Sequence, residues 1–228
     1  MPISTASNIV TEQLTEAGRA IEHDSFAIID AEAGPHAYTA EQWPLVRRMI
    51  HANADFEFNG LTAFHPDAMQ AGMRAVLKGG TPIVADVEMI CVGLSKPRLA
   101  HFGLSTHHYI SDPDVIEAAK AANSTRAVQA MRKAHRLGQL DGAIVGIGNA
   151  PTALIELVRL IREEGVRPAL VIGMPVGFVS AAESKDLLMT VNDVPWVAIK
   201  GRKGGSTLVV AAIHAMLSLA EAEQKKVA

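Results

Sequence analysis

From residue 82 onward, short apolar runs alternate with helix-length segments, and that alternation leaves few folds open to the chain. The runs are Pro82-Ile83-Val84-Ala85, His108-Tyr109-Ile110, Ala143-Ile144-Val145-Gly146-Ile147, Ala169-Leu170-Val171-Ile172 and Trp196-Val197-Ala198-Ile199. Each is short and nearly continuous in apolar residues, as a strand buried on both faces must be. Between them, residues 86–93, 113–137, 151–164, 181–190 and 205–221 carry helical patterns. About five strands joined by helices predict an α/β fold with a parallel sheet covered on both faces.

Upstream, residues 11–32 and 40–53 read as helices, the second opened by Thr39-Ala40-Glu41-Gln42 in a capping-box pattern. Pro66-Asp67 opens a third, which Gly79-Gly80 ends. No internal repeat or low-complexity linker divides the chain. A single domain over residues 1–228 is expected, with loose ends at 1–17 and 222–228. The 49% share of hydrophobic residues suffices for a large core, which sets disorder aside.

The formal charge of -3 leaves no basic footprint for nucleic acid, and there is no polybasic segment for a membrane surface. No apolar run approaches the roughly 18 residues of a spanning helix. The first residues lack the basic-then-apolar pattern of a secretion signal. One cysteine, Cys91, excludes an intramolecular disulfide and suits a reducing compartment, so a cytoplasmic location is expected. Within Met89-Ile90-Cys91-Val92 it reads as a small buried hydrophobe.

Open α/β sheets bind ligands at the carboxyl ends of their strands. The residues that follow the five runs are Asp86, Ser111-Asp112, Gly148-Asn149, Met174-Pro175 and Gly201-Arg202. Gly146-Ile147-Gly148-Asn149-Ala150-Pro151-Thr152 reads either as a tight turn or as a loop that approaches a ligand and offers helix-start N–H donors. A dinucleotide fingerprint requires a glycine where Pro151 stands. Gly173-Met174-Pro175-Val176-Gly177-Phe178-Val179 is apolar for a surface connection; it suits a broad hydrophobic ligand, or a loop buried under a helix or a second subunit. Glu183 and Lys185 read as helix-start charges. Gly201-Arg202-Lys203-Gly204-Gly205-Ser206 offers cations at a helix start, as an anion site or a solvated turn. Thr125-Arg126 opens another helix, where the arginine can clamp a carboxylate.

Among nine histidines, the adjacent His107 and His108 point to opposite faces of a strand and cannot readily share an ion. No HExxH or cysteine-assisted spacing supports a zinc site. His51 sits late in an amphipathic helix after Arg47-Arg48-Met49-Ile50, where a group titrating near neutrality meets cations that recruit an acidic ligand. Periodicity alone does not make it catalytic.

Taken in order, several motifs resemble the precorrin-8 methylmutases of cobalamin biosynthesis. They are Ser25-Phe26-Ala27-Ile28-Ile29, Arg48-Met49-Ile50-His51, Gly148-Asn149-Ala150-Pro151-Thr152-Ala153-Leu154, the loop from Gly173 to Val179, Ala181-Ala182-Glu183-Ser184-Lys185, and Gly201-Arg202-Lys203-Gly204-Gly205-Ser206. The resemblance runs in register from about residue 18 to residue 218. It implies an isomerase that moves a methyl group from carbon 11 to carbon 12 of a tetrapyrrole macrocycle, and a three-layer, flavodoxin-like α/β/α fold, usually dimeric. His51 takes the place of the family's catalytic histidine, with substrate contacts implied at Ser25 and Arg48. Asp86, Thr125, Arg126, Gly148, Asn149, Met174, Pro175, Arg202 and Lys203 complete the expected substrate-binding set.

Ala54-Asp55-Phe56-Glu57, Tyr109-Ile110-Ser111-Asp112-Pro113 and Gly201-Arg202-Lys203-Gly204-Gly205 resemble the cobalt-dependent branch, whose product is cobyrinic acid. The metal-free branch, which gives hydrogenobyrinic acid, lacks the aspartate after the histidine and tends to carry leucine in place of Lys203. The resemblance implies no cofactor and no protein-bound metal, since cobalt belongs to the substrate. A homodimer that hands its product to other enzymes of the pathway is expected. A sigmatropic methyl shift needs the conjugated system polarised, and His51 as imidazolium is the expected acid. Two other classes stay open: a tetrapyrrole carrier without catalysis, and a nucleotide-binding α/β protein.

Overall fold

The computed structural model describes residue 13 and residues 15–227. Helix α1 (Glu16–Glu32) is capped by Thr15, whose Oγ1 accepts the Gly18 N–H at 3.0 Å. Residues 11, 12 and 14 of the expected first helix, like most of the expected loose N-terminal end, lie outside the described residues. Before α2 (Trp43–Asn53), Gln42 N–H donates to Thr39 Oγ1 at 3.2 Å and Thr39 N–H to Gln42 Oε1 at 3.1 Å. This is the reciprocal capping box, closing a turn just ahead of the helix. A short α3 (Phe58–Leu61) leads into β1 (Thr62–Phe64), and α4 (Ala68–Lys78) follows.

The alternating part then runs β2 (Pro82–Ala85), α5 (Glu88–Gly93), α6 (Lys96–His101) and β3 (Ser105–His107). Next come α7 (Pro113–Ala121), α8 (Arg126–Arg136), β4 (Ile144–Ile147) and α9 (Pro151–Glu163). The chain ends with β5 (Leu170–Gly173), α10 (Ala181–Met189), β6 (Trp196–Ile199) and α11 (Ser206–Val227).

The sheet has six strands in the order β1-β6-β5-β4-β2-β3. Five are parallel, and β1 pairs antiparallel with β6. Counted by appearance, the parallel strands lie second, first, third, fourth, fifth, which is the flavodoxin-like order with its switch point between β2 and β4. Strand alternation sorts the core into two layers. Ile83, Ile144, Leu170, Ile172, Val197 and Ile199 pack under the helices that include α2, α4 and α11, while Val84, Val145, Val171, Trp196 and Ala198 pack under α8, α9 and α10.

Four expectations are corrected. The sheet has a sixth strand, β1, whose three residues Thr62-Ala63-Phe64 carry no apolar run. The strand expected at residues 108–110 lies at Ser105–His107, where Thr106 pairs with Ile83. An edge strand has one neighbour and less to bury, so it reads as less apolar; Tyr109 and Ile110 instead pack against the second core layer. The helix expected over 113–137 is two helices, parted where Asn123 turns left-handed at φ 46°. The end expected to be loose from residue 222 continues α11 to Val227.

By length and composition α11 also meets the test for a spanning helix, against the expectation from apolar runs. Its apolar face is spent inside the protein. Leu208, Val209, Ala212, Ile213, Met216 and Leu217 are all buried in the core layer it shares with α2 and α4.

Candidate active site

At the switch point, the loop after β4 is held from within the protein. Asp86, fully buried at the end of β2, accepts the Gly148 N–H through Oδ1 at 3.1 Å. Its Oδ2 accepts the Asn149 and Ala150 N–H groups at 2.9 and 2.7 Å. Burial pushes the carboxyl up from the ordinary aspartate range, against three N–H donors that favour the ion. Those N–H groups are the nest that a phosphate would occupy at the start of α9. With a carboxylate already there, the nucleotide-binding alternative loses its anchor.

The glycines of these loops serve loop-to-loop contact. A Cβ on Gly148 would come within 2.7 Å of the Ser206 backbone, and one on Gly204 within 2.2 Å of the Met174 carbonyl oxygen. That oxygen also accepts the Gly205 N–H at 2.8 Å. The loops after β4, β5 and β6 are thereby knitted into one slab. Met174 and Pro175 are buried, and the Met174 side chain belongs to the core, so their side chains are not presented as a ring-covering surface. The exposed apolar residues of the slab are Val176, Phe178 and Val179, and the Arg202 guanidinium lies 5.7 Å from the Phe178 ring centre.

Lys185 differs from the expected helix-start charge. It is fully buried, its Nζ donates to the Lys203 carbonyl at 2.5 Å, and burial pushes its pKa down to about 8. Lys203 itself bonds to Asp55 Oδ2 at 2.5 Å and Glu57 Oε2 at 3.0 Å, just beyond the end of α2.

The most chemically open region is the α1–α2 pair. His51, exposed in the last turn of α2, meets the Phe26 ring edge-on with centroids 5.3 Å apart. Ser25, Ile28, Ile29, Glu32, Ile50, Ala54 and Phe56 join His51 around a pocket of about 240 Å³. Ser25 donates its hydroxyl to the Ile21 carbonyl at 2.8 Å, which leaves the oxygen able to accept. The volume lies below the roughly 300–1,000 Å³ that encloses a whole drug-sized ligand. It suits part of a larger ligand.

Arg48, one turn before His51, is buried and bonds to Glu22 at 2.7 Å. Burial, and then the nearby Arg98, lower its pKa to about 10. Burial raises the Glu22 carboxyl above the ordinary glutamate range. Behind this pair, Arg98 bonds to Glu221 and Ser218, each at 2.9 Å. His214 accepts the Ser95 N–H at 3.3 Å, and its pKa falls to about 4 through burial, then Arg98 and Arg48. Partial burial, and then Arg48, also lower the His51 pKa below the usual imidazole value.

The remaining expected residues lie at the same end of the sheet, at the starts of α8 and α9 and in the loop before α11. Thr125 caps α8 by accepting the Val128 N–H at 3.2 Å, and its hydroxyl meets that of Thr152 at 3.0 Å. Arg126, Asn149 and Arg202 are exposed. Sequence reasoning missed Phe26 as a site residue, along with Ile28, Glu32 and Phe56. Helical spacing carried a signal for part of this set, since Glu22, Ser25 and Phe26, and Ile29 recur on one face of α1. A wider cleft, about 350 Å³, opens at the opposite end of the sheet beside Arg74, Lys78, Thr81 and Pro195. It lies where strands begin, away from the end at which such sheets bind ligands. Among the described residues no three His, Cys, Asp or Glu side chains form a metal-binding group.

Comparison with known proteins bears on this geometry. The family model for precorrin-8X methylmutase matches residues 20–219. The cobalt-precorrin-8 methylmutase of Leptospira interrogans is 52% identical over 212 residues, 91% of this chain and 96% of that protein. The protein of the same name from Priestia megaterium is 52% identical over 91% of both chains. A crystal structure of the precorrin-8X methylmutase of Thermus thermophilus superposes with a TM-score of 0.83 at 51% identity, covering 90% of this chain and 99% of the other. With a match spanning nearly its whole length in both sequence and fold, the chain belongs to the precorrin-8X methylmutase family.

Proposed function

We propose that the chain is a cobalt-precorrin-8 methylmutase, an isomerase that moves a methyl group from carbon 11 to carbon 12 of the macrocycle to give cobyrinic acid. Membership of the family supports the reaction, and two relatives at 52% identity bear the cobalt name. The observation that carries the mechanism is His51, a titratable group at the rim of an apolar pocket with Ser25 beside it. In this account the pocket takes one edge of the ring system, and His51 as imidazolium donates a proton or hydrogen bond to the conjugated system. Polarised in this way, the macrocycle rearranges without a nucleophile from the protein.

Arg48 has a different role from a simple clamp. It is committed to Glu22, so its charge bears on His51 whether or not substrate is present. Substrate carboxylates approaching His51 then raise its pKa and charge it on binding. Exposed Arg126 and Arg202 remain to meet further carboxylates, and Phe178 and Val179 offer apolar cover to the ring. The slab of loops forms one rim, Asn149 included, with Gly148 and Asp86 fixing its shape. A homodimer in the cytoplasm, passing its product to the next enzyme, fits this scheme.

Adding the protein to cobalt-precorrin-8 and to the metal-free form, and following the visible spectrum, tests the proposal. A methylmutase changes the conjugation, and the cobalt form should convert faster. A spectrum that only shifts on binding, with substrate recovered unchanged, would identify a carrier. Faster conversion of the metal-free form would assign the chain to the other branch.

A further inference from the structure

Lys185 on α10 and Lys203 in the loop after β6 together link α10 to the end of α2. Helix α2 stops at Asn53, two residues after His51, and Ala54 then turns left-handed at φ 51°, a conformation that costs a non-glycine residue free energy. The turn that follows is closed by Asp55 Oδ1, which accepts the Glu57 N–H at 3.0 Å. Lys203 then grips this turn from outside, its Nζ bonded to both Asp55 and Glu57. Its carbonyl is gripped in turn by the buried ammonium of Lys185. A second, weaker tie runs from Thr207 Oγ1 to Asn53 Oδ1 at 3.4 Å.

We propose that Lys203 and Lys185 are positioning residues for His51: through Asp55 and Glu57 they fix the left-handed end of α2, and with it the direction of the imidazole. The inference rests on His51 as the acid, and it moves Lys203 out of the substrate-binding set. Lys203 has spent two of its three N–H donors on Asp55 and Glu57, so a substrate carboxylate would compete with both. Ion pairs that solvent still reaches, as here, contribute little to stability. A displacement of about 1 Å at a reacting group can lower a rate on the order of 100-fold, so the tie acts on turnover more than on folding. Lys185 points the same way. A buried ammonium is costly, and an apolar residue of similar size is often no less stable.

The test measures kcat for cobalt-precorrin-8 and the Kd of the corrin product, with melting temperature, for Lys203→Met, Lys203→Arg, Lys185→Met and Asp55→Asn. Lys203→Met should lower kcat about tenfold and leave Kd within about twofold. Lys185→Met should lower kcat without lowering the melting temperature. Asp55→Asn, which keeps the Oδ1 acceptor for the Glu57 N–H but not the charge, should lower kcat as Lys203→Met does, while Lys203→Arg should keep most of the wild-type rate. Unchanged kcat with weakened product binding in Lys203→Met would overturn the proposal and return Lys203 to the substrate. Lys203→Arg as slow as Lys203→Met, or Asp55→Asn as fast as wild type, would overturn the ion pair as the device. Full activity in a His51→Ala control would instead remove the acid on which the inference rests, a failure distinct from the other two.

Discussion

The slab of strand-end loops and the α1–α2 pair face the same end of the sheet but use their polar groups in opposite ways. In the slab, N–H donors, carbonyls and glycines are turned on one another: Asp86 fills the nest of the β4 loop, and Gly204 abuts the Met174 carbonyl. In the helix pair, the ion pairs lie behind the site, and a histidine and a hydroxyl stand at an open pocket. A glycine-rich loop at a strand end can thus be frame, while a plain amphipathic helix presents a titratable side chain to an open pocket.

The largest stability effect should come from the slab. Gly204→Ala places a Cβ 2.2 Å from a backbone oxygen, which neither side can relieve by rotating a side chain. A loss of about 3 kcal/mol in denaturant unfolding is expected, at the upper end of ordinary overpacking. A neutral outcome would mean that the loops are not knitted as described.

Next is Asp86→Ala, which strips the acceptors from three N–H groups and should cost about 2 kcal/mol. It also opens the nest, so inorganic phosphate should raise the melting temperature of this variant and not of the wild type. Equal phosphate stabilisation of both would break the distinction between a filled nest and an open one.

The smallest readout is the pH shift expected in Arg48→Gln, on the other side of the comparison. The guanidinium lowers the His51 pKa, so its removal raises it. An acid catalyst is active while protonated, and kcat/KM therefore falls as pH rises through the free-enzyme pKa. The alkaline limb should shift to higher pH in the variant. A shift to lower pH would contradict like-charge repulsion as a cause.

Much of the frame was legible from local pattern. The capping box at Thr39 and Gln42, the four central strands and the helix that carries His51 all follow from neighbours within a few residues. The edge strands β1 and β3 did not, because a strand with one neighbour needs no continuous apolar run. Long-range pairing hid the roles of the site residues. Asp86 meets its partners more than sixty positions away, and Lys203 meets Asp55 across 148. Nothing in the spacing of a lysine or an aspartate announces such a partner. The glycines gave the same signal for approach to a ligand as for approach to a neighbouring loop.

In the proposed reaction, catalysis belongs to α2 while the loops frame the ring. Corrin-product binding and single-turnover conversion of cobalt-precorrin-8, measured on one preparation of His51→Ala, test it most directly. Binding close to wild type is expected, with conversion lower by about 10²–10⁴-fold, the range of a lost general acid. Conversion at the wild-type rate would contradict it.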